Sequence, residues 1–301
     1  MNADPTPLWR RLALKLYYAT TYPGRQWYLG REAASGRAPL AILVFHRVAD
    51  DGANDWTTPT GEFVDAIHWL RDHVELVSLE EVQRRIRERH NDRLAVSITF
   101  DDGYADNCRV ALPLLVEERV PCTYFVSTGP VLASTFFPHD LEMGNRLPPN
   151  SVDKLAELSR QGIEIGAHTR THADLGRITD RDTLVDELIT AREDLEAAVG
   201  QPIRYFAFPF GRQENLSDEA FSLGRAAGYA AMCSAYGGYN LPGDDAFHLQ
   251  RRGVDGPAIR IKNRVMADPR ELRVRRFHPV PSPLVGTILP IESSMPSGSC
   301  P

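Results

Sequence analysis

Three short stretches of this chain carry residues whose types and spacing suit hydrolytic chemistry. The first is AVSITFDDGYADN over 95–107, in which two adjacent carboxylates, Asp101 and Asp102, precede Gly103. Side chains on a regular strand point alternately to opposite faces, so two neighbouring acids inside a strand cannot share a pocket. At a strand end the backbone turns, and Gly103 admits conformations that a Cβ resists. Both carboxylates can then aim at one site, where their repulsion and a cation push their pKa values apart. That pattern suggests one metal ligand and one base. The second stretch is HTRTH, with His168 and His172 four apart, a spacing that faces two imidazoles the same way on a helical turn. Two imidazoles and a carboxylate form a ligand set for a catalytic zinc-type ion with an open position. The third is LVFH, where His46 closes an apolar run.

Each stretch also has a plainer reading, since Asp-Gly is a common turn pair and a strand-end histidine can bond to backbone. What joins them is their placement on the predicted elements. Residues 40–45 are a continuous apolar run, typical of a strand buried on both faces. A helix from Thr60 follows, with Phe63, Ile67 and Leu70 on one face, then a short strand at 75–77. Ser78 caps the next helix in a capping-box pattern with Glu81. Val96, Ile98 and Phe100 alternate along the acidic strand, which a helix over 104–118 follows. The rest reads as strand 122–126, loop 127–150, helix 152–160, strand 162–167, helix 179–199, strand 205–208, helix 217–227, and strands 229–233 and 247–251. Beyond Gly253 the pattern weakens, and no internal repeat is visible. About seven strands alternating with helices indicate a parallel α/β fold close to barrel size. The acid pair and the histidine pair both fall at C-terminal strand ends, where barrel active sites gather.

Composition narrows the class. The 301 residues can bury a full core, and 43% hydrophobic with 25% charged content is that of an ordinary soluble globular protein. A formal charge of −6 offers no footprint for nucleic acid. Cys108, Cys122, Cys233 and Cys300 lack CxxC spacing; three of them sit within apolar segments, and they read as small core residues rather than ligands or a disulfide framework. No apolar run approaches bilayer-spanning length. The segment LWRRLALKLYYATTYPGRQWYLG mixes Arg and Lys into its apolar residues, unlike a secretory signal, so a cytoplasmic location is expected. Its residues 8–18 read as a short basic amphipathic helix that either packs on its own domain or makes a peripheral contact with a membrane or partner. The chain divides into an N-terminal arm (1–38), a catalytic domain (39–278) and a disordered Pro/Ser/Gly-rich tail (279–301).

TFDDG at 99–103 followed by HTxxH at 168–172 resembles the first two motifs of the polysaccharide deacetylases, carbohydrate esterase family 4 with the NodB-homology fold. The likeness covers about 40–254. It implies an α/β fold, a distorted (β/α)7-type barrel forming a single catalytic domain, and hydrolytic removal of acetyl groups from N-acetylated sugars. It implies that Asp102, His168 and His172 hold one divalent metal ion, zinc first, with cobalt, manganese and nickel as alternatives. Asp101 would be the catalytic base. Such a cation polarises the acetamide carbonyl and the attacking water, Asp101 takes the water's proton, and the Tyr104 backbone N–H helps hold the oxyanion.

The general acid and the base's partner depart from the common pattern. Most relatives supply the acid from a late LxH motif; here the late candidates are His248 and His278, and neither closes a strand. His46 does. In this the chain is nearest to the poly-N-acetylglucosamine deacetylases, whose barrel is circularly permuted, and His46 is the expected acid. The third motif reads FAFPFG over 206–211, with Ala207 where the family has a base-orienting arginine. Arg251 or Arg252 is expected to replace it, or else the pair marks a solvated strand end. Pro209 and Phe210 should shape a wall against the sugar ring. His139 and Asp140 in the long loop are either substrate contacts or surface residues, and Trp56 either stacks on a sugar or packs. His68 and His73 look like surface histidines. The implied partner is an N-acetylated glycan. A carbohydrate-binding relative with impaired catalysis, or an amidohydrolase or O-acetyl esterase on another substrate, fits the same fold.

Overall fold

The computed structural model describes residues 7–254 and 256–280. Two six-residue strands with every side chain buried, β1 (Leu40–Phe45) and β2 (Ala95–Phe100), lie side by side in parallel, with Leu40 opposite Ala95 and Phe45 opposite Phe100. Their neighbours are β3 (Cys122–Val126), β4 (Glu164–Ala167), β5 (Tyr205–Ala207), β6 (Ala231–Ser234), β7 (His248–Gln250) and β8 (Arg252–Gly253). The order is β7-β6-β5-β4-β3-β2-β1-β8, all parallel. β7 pairs with β6, and β8, one residue later, pairs with β1. Arg251 therefore interrupts one stave that joins both ends of the sheet. The result is a nearly closed parallel barrel with helices outside it.

Side-chain alternation divides the core into two layers. Leu40 and Ile42 face the barrel interior with Phe125, Tyr205, Cys233 and Leu249. Leu43 and Phe45 face outward against the helix Thr60–His73, where Phe45, Phe63 and Phe100 meet with ring centroids 5.1 to 5.7 Å apart. Gly166 on β4 leaves room for the Phe125 ring; a Cβ there would stand 2.4 Å from it. Cys108, Cys122 and Cys233 are free thiols. Cys300 and all but the first two residues of the expected tail over 279–301 lie outside the described residues.

Several elements differ from the pattern-based expectation. The helix expected over 104–118 is a 3-10 turn, Ala105–Cys108, followed by a helix over Ala111–Glu117. Pro113 explains the break, because its ring clashes with a carbonyl four residues earlier and confines it to a first turn. The expected loop at 127–150 contains helices Thr128–Ala133 and Pro138–Glu142, the second with proline at its start, where a missing N–H costs nothing. A helix at Ala258–Val265 follows β8, where the pattern had weakened. The N-terminal helix runs over Leu8–Ala34, far beyond residue 18, through Pro23. It lies along Ala258–Val265: Arg25 donates to the Asn263 carbonyl and side chain (both 2.8 Å), and the Tyr17 hydroxyl donates to Asp268 (2.8 Å). No helix among the described residues is long and apolar enough to cross a membrane.

Gly166→Ala should overpack the barrel interior and lower stability by about 1–3 kcal/mol, read as a reduced urea midpoint at unchanged m-value.

Candidate active site

The alternation that turns Ser97 and Thr99 inward on β2 carries Asp101 inward too. Its N–H donates to the Phe45 carbonyl (2.9 Å). Asp102 would face the other way if the strand continued. Instead Asp102 (φ 72°) and Gly103 (φ 101°) reverse the chain, and both carboxylates line one cavity. A Cβ at Gly103 would combine that φ with a 3.1 Å contact to Val126.

Asp101 is clamped from the break in the last stave. Arg251 Nη1 and Nη2 donate to its Oδ1 (2.6 Å) and Oδ2 (2.9 Å), and Nη1 also reaches Thr99 Oγ1 (3.2 Å). Arg251 Nε donates to the Ser234 carbonyl (3.1 Å). Burial pushes the Asp101 carboxyl up, but the adjacent guanidinium, with His168, holds it below the ordinary carboxylate range. Arg252 is corrected as a candidate: it donates to the Arg264 carbonyl (2.6 Å) and the Gly238 carbonyl, and lies over the Tyr239 ring. Neighbours on extended backbone face opposite sides, so only one of the two arginines can reach Asp101.

His168 and His172 do not share a helical turn, contrary to the spacing argument. They occupy an irregular loop after β4 with Thr169 (φ 60°) and His172 (φ 63°) left-handed. Glu187, buried in the π-helical segment Asp186–Thr190, holds this loop. Its carboxylate accepts from the Arg170 N–H (2.8 Å), the Thr171 N–H (2.9 Å) and the Thr171 hydroxyl (2.6 Å). His168 Nδ1 donates to the Ala207 carbonyl (2.8 Å), which leaves the Nε2 lone pair facing Asp102. His168 Nε2 and His172 Nε2 stand 3.4 and 3.2 Å from Asp102 Oδ1, an oxygen that is buried and accepts no hydrogen bond among the described residues. The three groups can offer ligand atoms within 4.8 Å of one another. Burial disfavours charge on Asp102, yet the two imidazoles hold its carboxyl well below the ordinary range. A dry, unpartnered carboxylate oxygen facing two imidazole nitrogens fits a borderline-soft divalent cation.

The cavity, about 420 Å³, is also lined by His46 from the end of β1, Trp56, His139 and Phe210. The His46 carbonyl accepts from Asn107 Nδ2 (2.7 Å). The late histidines lie elsewhere. His248 is buried outside the cavity between Ser234 Oγ and the Phe277 carbonyl (both 3.0 Å), with the Phe221 ring at 5.0 Å; burial pulls its pKa down to about 3. His278 is exposed and lines no part of the cavity. Phe210 (φ 60°) stands at the mouth, its ring 5.0 Å from that of His172, whereas Pro209 is buried behind it and does not line the wall.

Tyr104 also places its side chain at the site. Its buried hydroxyl donates to Asp140 Oδ2 (2.7 Å), accepts from Trp56 Nε1 (3.0 Å) and lies 3.0 Å from His139 Nε2. Trp56 therefore both packs and faces the cavity, and Asp140 is a buried anchor rather than a surface residue. Burial pulls the His139 imidazole down to about 4. The Tyr104 N–H makes no backbone hydrogen bond among the described residues. Sequence reasoning missed this hydroxyl cluster and Glu187. For Glu187 a signal existed: an acid on the same helical face as Leu184 and Leu188.

Comparison with known sequences assigns the motifs. The family model for polysaccharide deacetylase matches residues 88–232, which hold Asp101, Asp102, His168 and His172. Over residues 88–232 the chain is thus similar to a polysaccharide deacetylase domain. YxkH of Bacillus subtilis (strain 168), itself assigned to the polysaccharide deacetylases, is 25% identical over 194 residues, 64% of this chain and 63% of its own length. The chitooligosaccharide deacetylase of Bradyrhizobium sp. (strain ANU 289) is 30% identical over 139 residues, 46% of this chain and 55% of its own. The chain thus spans less than two thirds of either curated relative. Among solved structures, the deacetylase PplD of Streptococcus pyogenes superposes with a TM-score of 0.62 at 20% identity, covering 76% of this chain and 98% of that one. IcaB from Ammonifex degensii gives 0.62 at 24% identity, covering 76% and 97%. These likenesses establish the barrel fold of the family.

Glu187→Ala should free the 168–172 loop and weaken divalent-ion binding about 10- to 100-fold, measured by titration calorimetry with Zn2+, while circular dichroism stays native. His248 gives a pH signature. Its folded pKa of about 3 lies below the ordinary 6.5, so the unfolded chain binds a proton that the folded chain refuses in that window. This one group should make stability fall as pH drops from about 6.5, by at most about 1.4 kcal/mol per pH unit. His248→Asn should flatten that slope in urea melts between pH 7 and 5.

Proposed function

We propose that this chain is a metal-dependent hydrolase that removes acetyl groups from N-acetylated sugars. The observation that carries the reading is the convergence of Asp102, His168 and His172 on one point beside an Arg251-paired Asp101, in a cavity that His46 also lines. A divalent ion held by Asp102, His168 and His172, zinc first among candidates, would supply Lewis-acid polarisation of the acetamide carbonyl and activate water. Asp101, kept ionised by Arg251, takes the proton of the attacking water. The Tyr104 N–H is the donor we assign to the developing oxyanion. His46 donates a proton to the leaving amine, so acetate and a free amino sugar result. Phe210 and Trp56 offer apolar faces to a sugar ring.

The altered third motif would suit a carbohydrate-binding relative without turnover. The bidentate Arg251 clamp argues against that reading, because pure binding needs no oriented base beside a ligand triad.

Purified protein should release acetate from short N-acetylglucosamine oligomers and lose that activity on chelation. Asp102→Ala should lose the bound ion, measured by elemental analysis, together with turnover. His46→Ala should keep the ion but lose about 10²–10⁴-fold in kcat. Full activity in His46→Ala, or an ion retained by Asp102→Ala, would reject the corresponding assignment.

A further inference from the structure

The N-terminal helix Leu8–Ala34 packs on the domain yet leaves large apolar side chains on its outward face. Its inward face is mixed: Arg25, Leu29 and Glu32 are buried, Tyr18 and Tyr28 pack against the core, and Tyr17, Arg25 and the Leu14 carbonyl make the hydrogen bonds to Asp268 and Asn263. Its outward face carries Leu8, Trp9, Leu12, Leu16 and Trp27, each between 56% and 73% exposed. At 100° per residue these five fall within one sector of about 100° and span about 28 Å. Ala19, Pro23 and Gly30, also exposed, continue the same stripe, and Gln26 is the one long polar side chain within it. Tyr22 stands at its edge.

Charge on this helix runs against that of the chain. Arg10, Arg11, Lys15, Arg25 and Arg31 face a single acid, Glu32, which is itself paired with Arg31 and Arg37, in a chain of formal charge −6. Lys15 and Arg31 border the stripe on its two sides. Leucine and tryptophan on a convex helix, edged by tyrosine and long cationic side chains, match what an anionic lipid interface takes up. The rings sit at headgroup level and the cations meet phosphate. A stripe this narrow offers a protein partner less than the roughly 800 Å² per side of a stable interface. We propose that the outward stripe of this helix docks the chain on an anionic bilayer surface.

The docking end coincides with the catalytic end. The helix leads through residues 35–39 into the start of β1, so it runs antiparallel to that strand, and its Leu8–Leu16 half lies toward the C-terminal barrel face. Arg11 there meets Glu62 (3.3 Å) in the first turn of the helix Thr60–His73, which starts from that face. Phe210 and Met143, both more than half exposed, stand at the cavity mouth on the same face.

Flotation of the full chain with vesicles of phosphatidylcholine and phosphatidylglycerol in a three-to-one mixture tests the proposal without recourse to enzymatic activity. Expected are co-flotation, a blue shift of tryptophan emission on adding the vesicles, and weaker flotation with phosphatidylcholine alone. Leu12→Glu/Leu16→Glu should lose about tenfold or more in partitioning at unchanged melting temperature. Trp9→Gln/Trp27→Gln should do the same and lose the blue shift. No flotation of the unaltered chain, equal binding to neutral vesicles, or undiminished binding by both variants overturns the proposal. So does a dimer in light scattering that Leu12→Glu/Leu16→Glu breaks without any vesicle binding, which would assign the stripe to a second copy.

Discussion

The buried ion pair between Asp101 and Arg251 is the constraint on which the rest of the site depends. It joins the end of β2 to the single residue that separates β7 from β8, 150 positions away in sequence. Taking both charges out of water is costly, and only a geometry this complete offsets it: two parallel N–H donors on one carboxylate, a hydroxyl on Thr99 and the face of Phe125 under the guanidinium. The same contact therefore seals the interrupted stave and fixes the direction of a carboxylate beside Asp102, His168 and His172. Removing either partner alone would strand a charge in the barrel interior.

Around that pair the backbone is held in conformations that most residues avoid. Asp102, Thr169, His172 and Phe210 all have φ between 60° and 72°, and three of the four line the cavity. Each costs free energy on its own and persists because surrounding contacts over-determine it. At Asp102 the left-handed turn converts strand alternation into convergence. At Thr169 and His172 it bends a loop so that two imidazole nitrogens meet one carboxylate oxygen. Glu187 steadies that loop from a π-helical segment, a feature that recurs where a helix serves a site.

A second layer of order comes from the long β3–β4 connection. The Tyr104 hydroxyl gathers Trp56, His139 and Asp140, so three segments far apart in sequence form one wall. Because the Tyr104 hydroxyl fixes both rings, Trp56 and His139 can face the cavity without a mobile side chain having to be ordered when a ligand arrives, although His139 Nδ1 has no hydrogen-bond partner among the described residues. His248, by contrast, is fully committed to Ser234 and Phe277 in the core, which explains why a histidine in a suggestive late strand stays away from the chemistry.

What the sequence by itself determined was local or periodic. The buried run 40–45, the alternation before Asp101, the Ser78 cap and the helix at Val152–Arg160 depend on neighbours a few residues apart, so their signals lie in the primary sequence. The two motifs were legible for the same reason, as was the need for a turn at Gly103. Tertiary structure alone decided which arginine reaches Asp101, how His168 and His172 converge outside a helix, and that Tyr104, Asp140 and Glu187 support the site. Those outcomes rest on the facing side of a residue at a strand break and on contacts between distant segments. The 3.6 and 2.0 periods carry no information about either, because both are set only when the barrel closes.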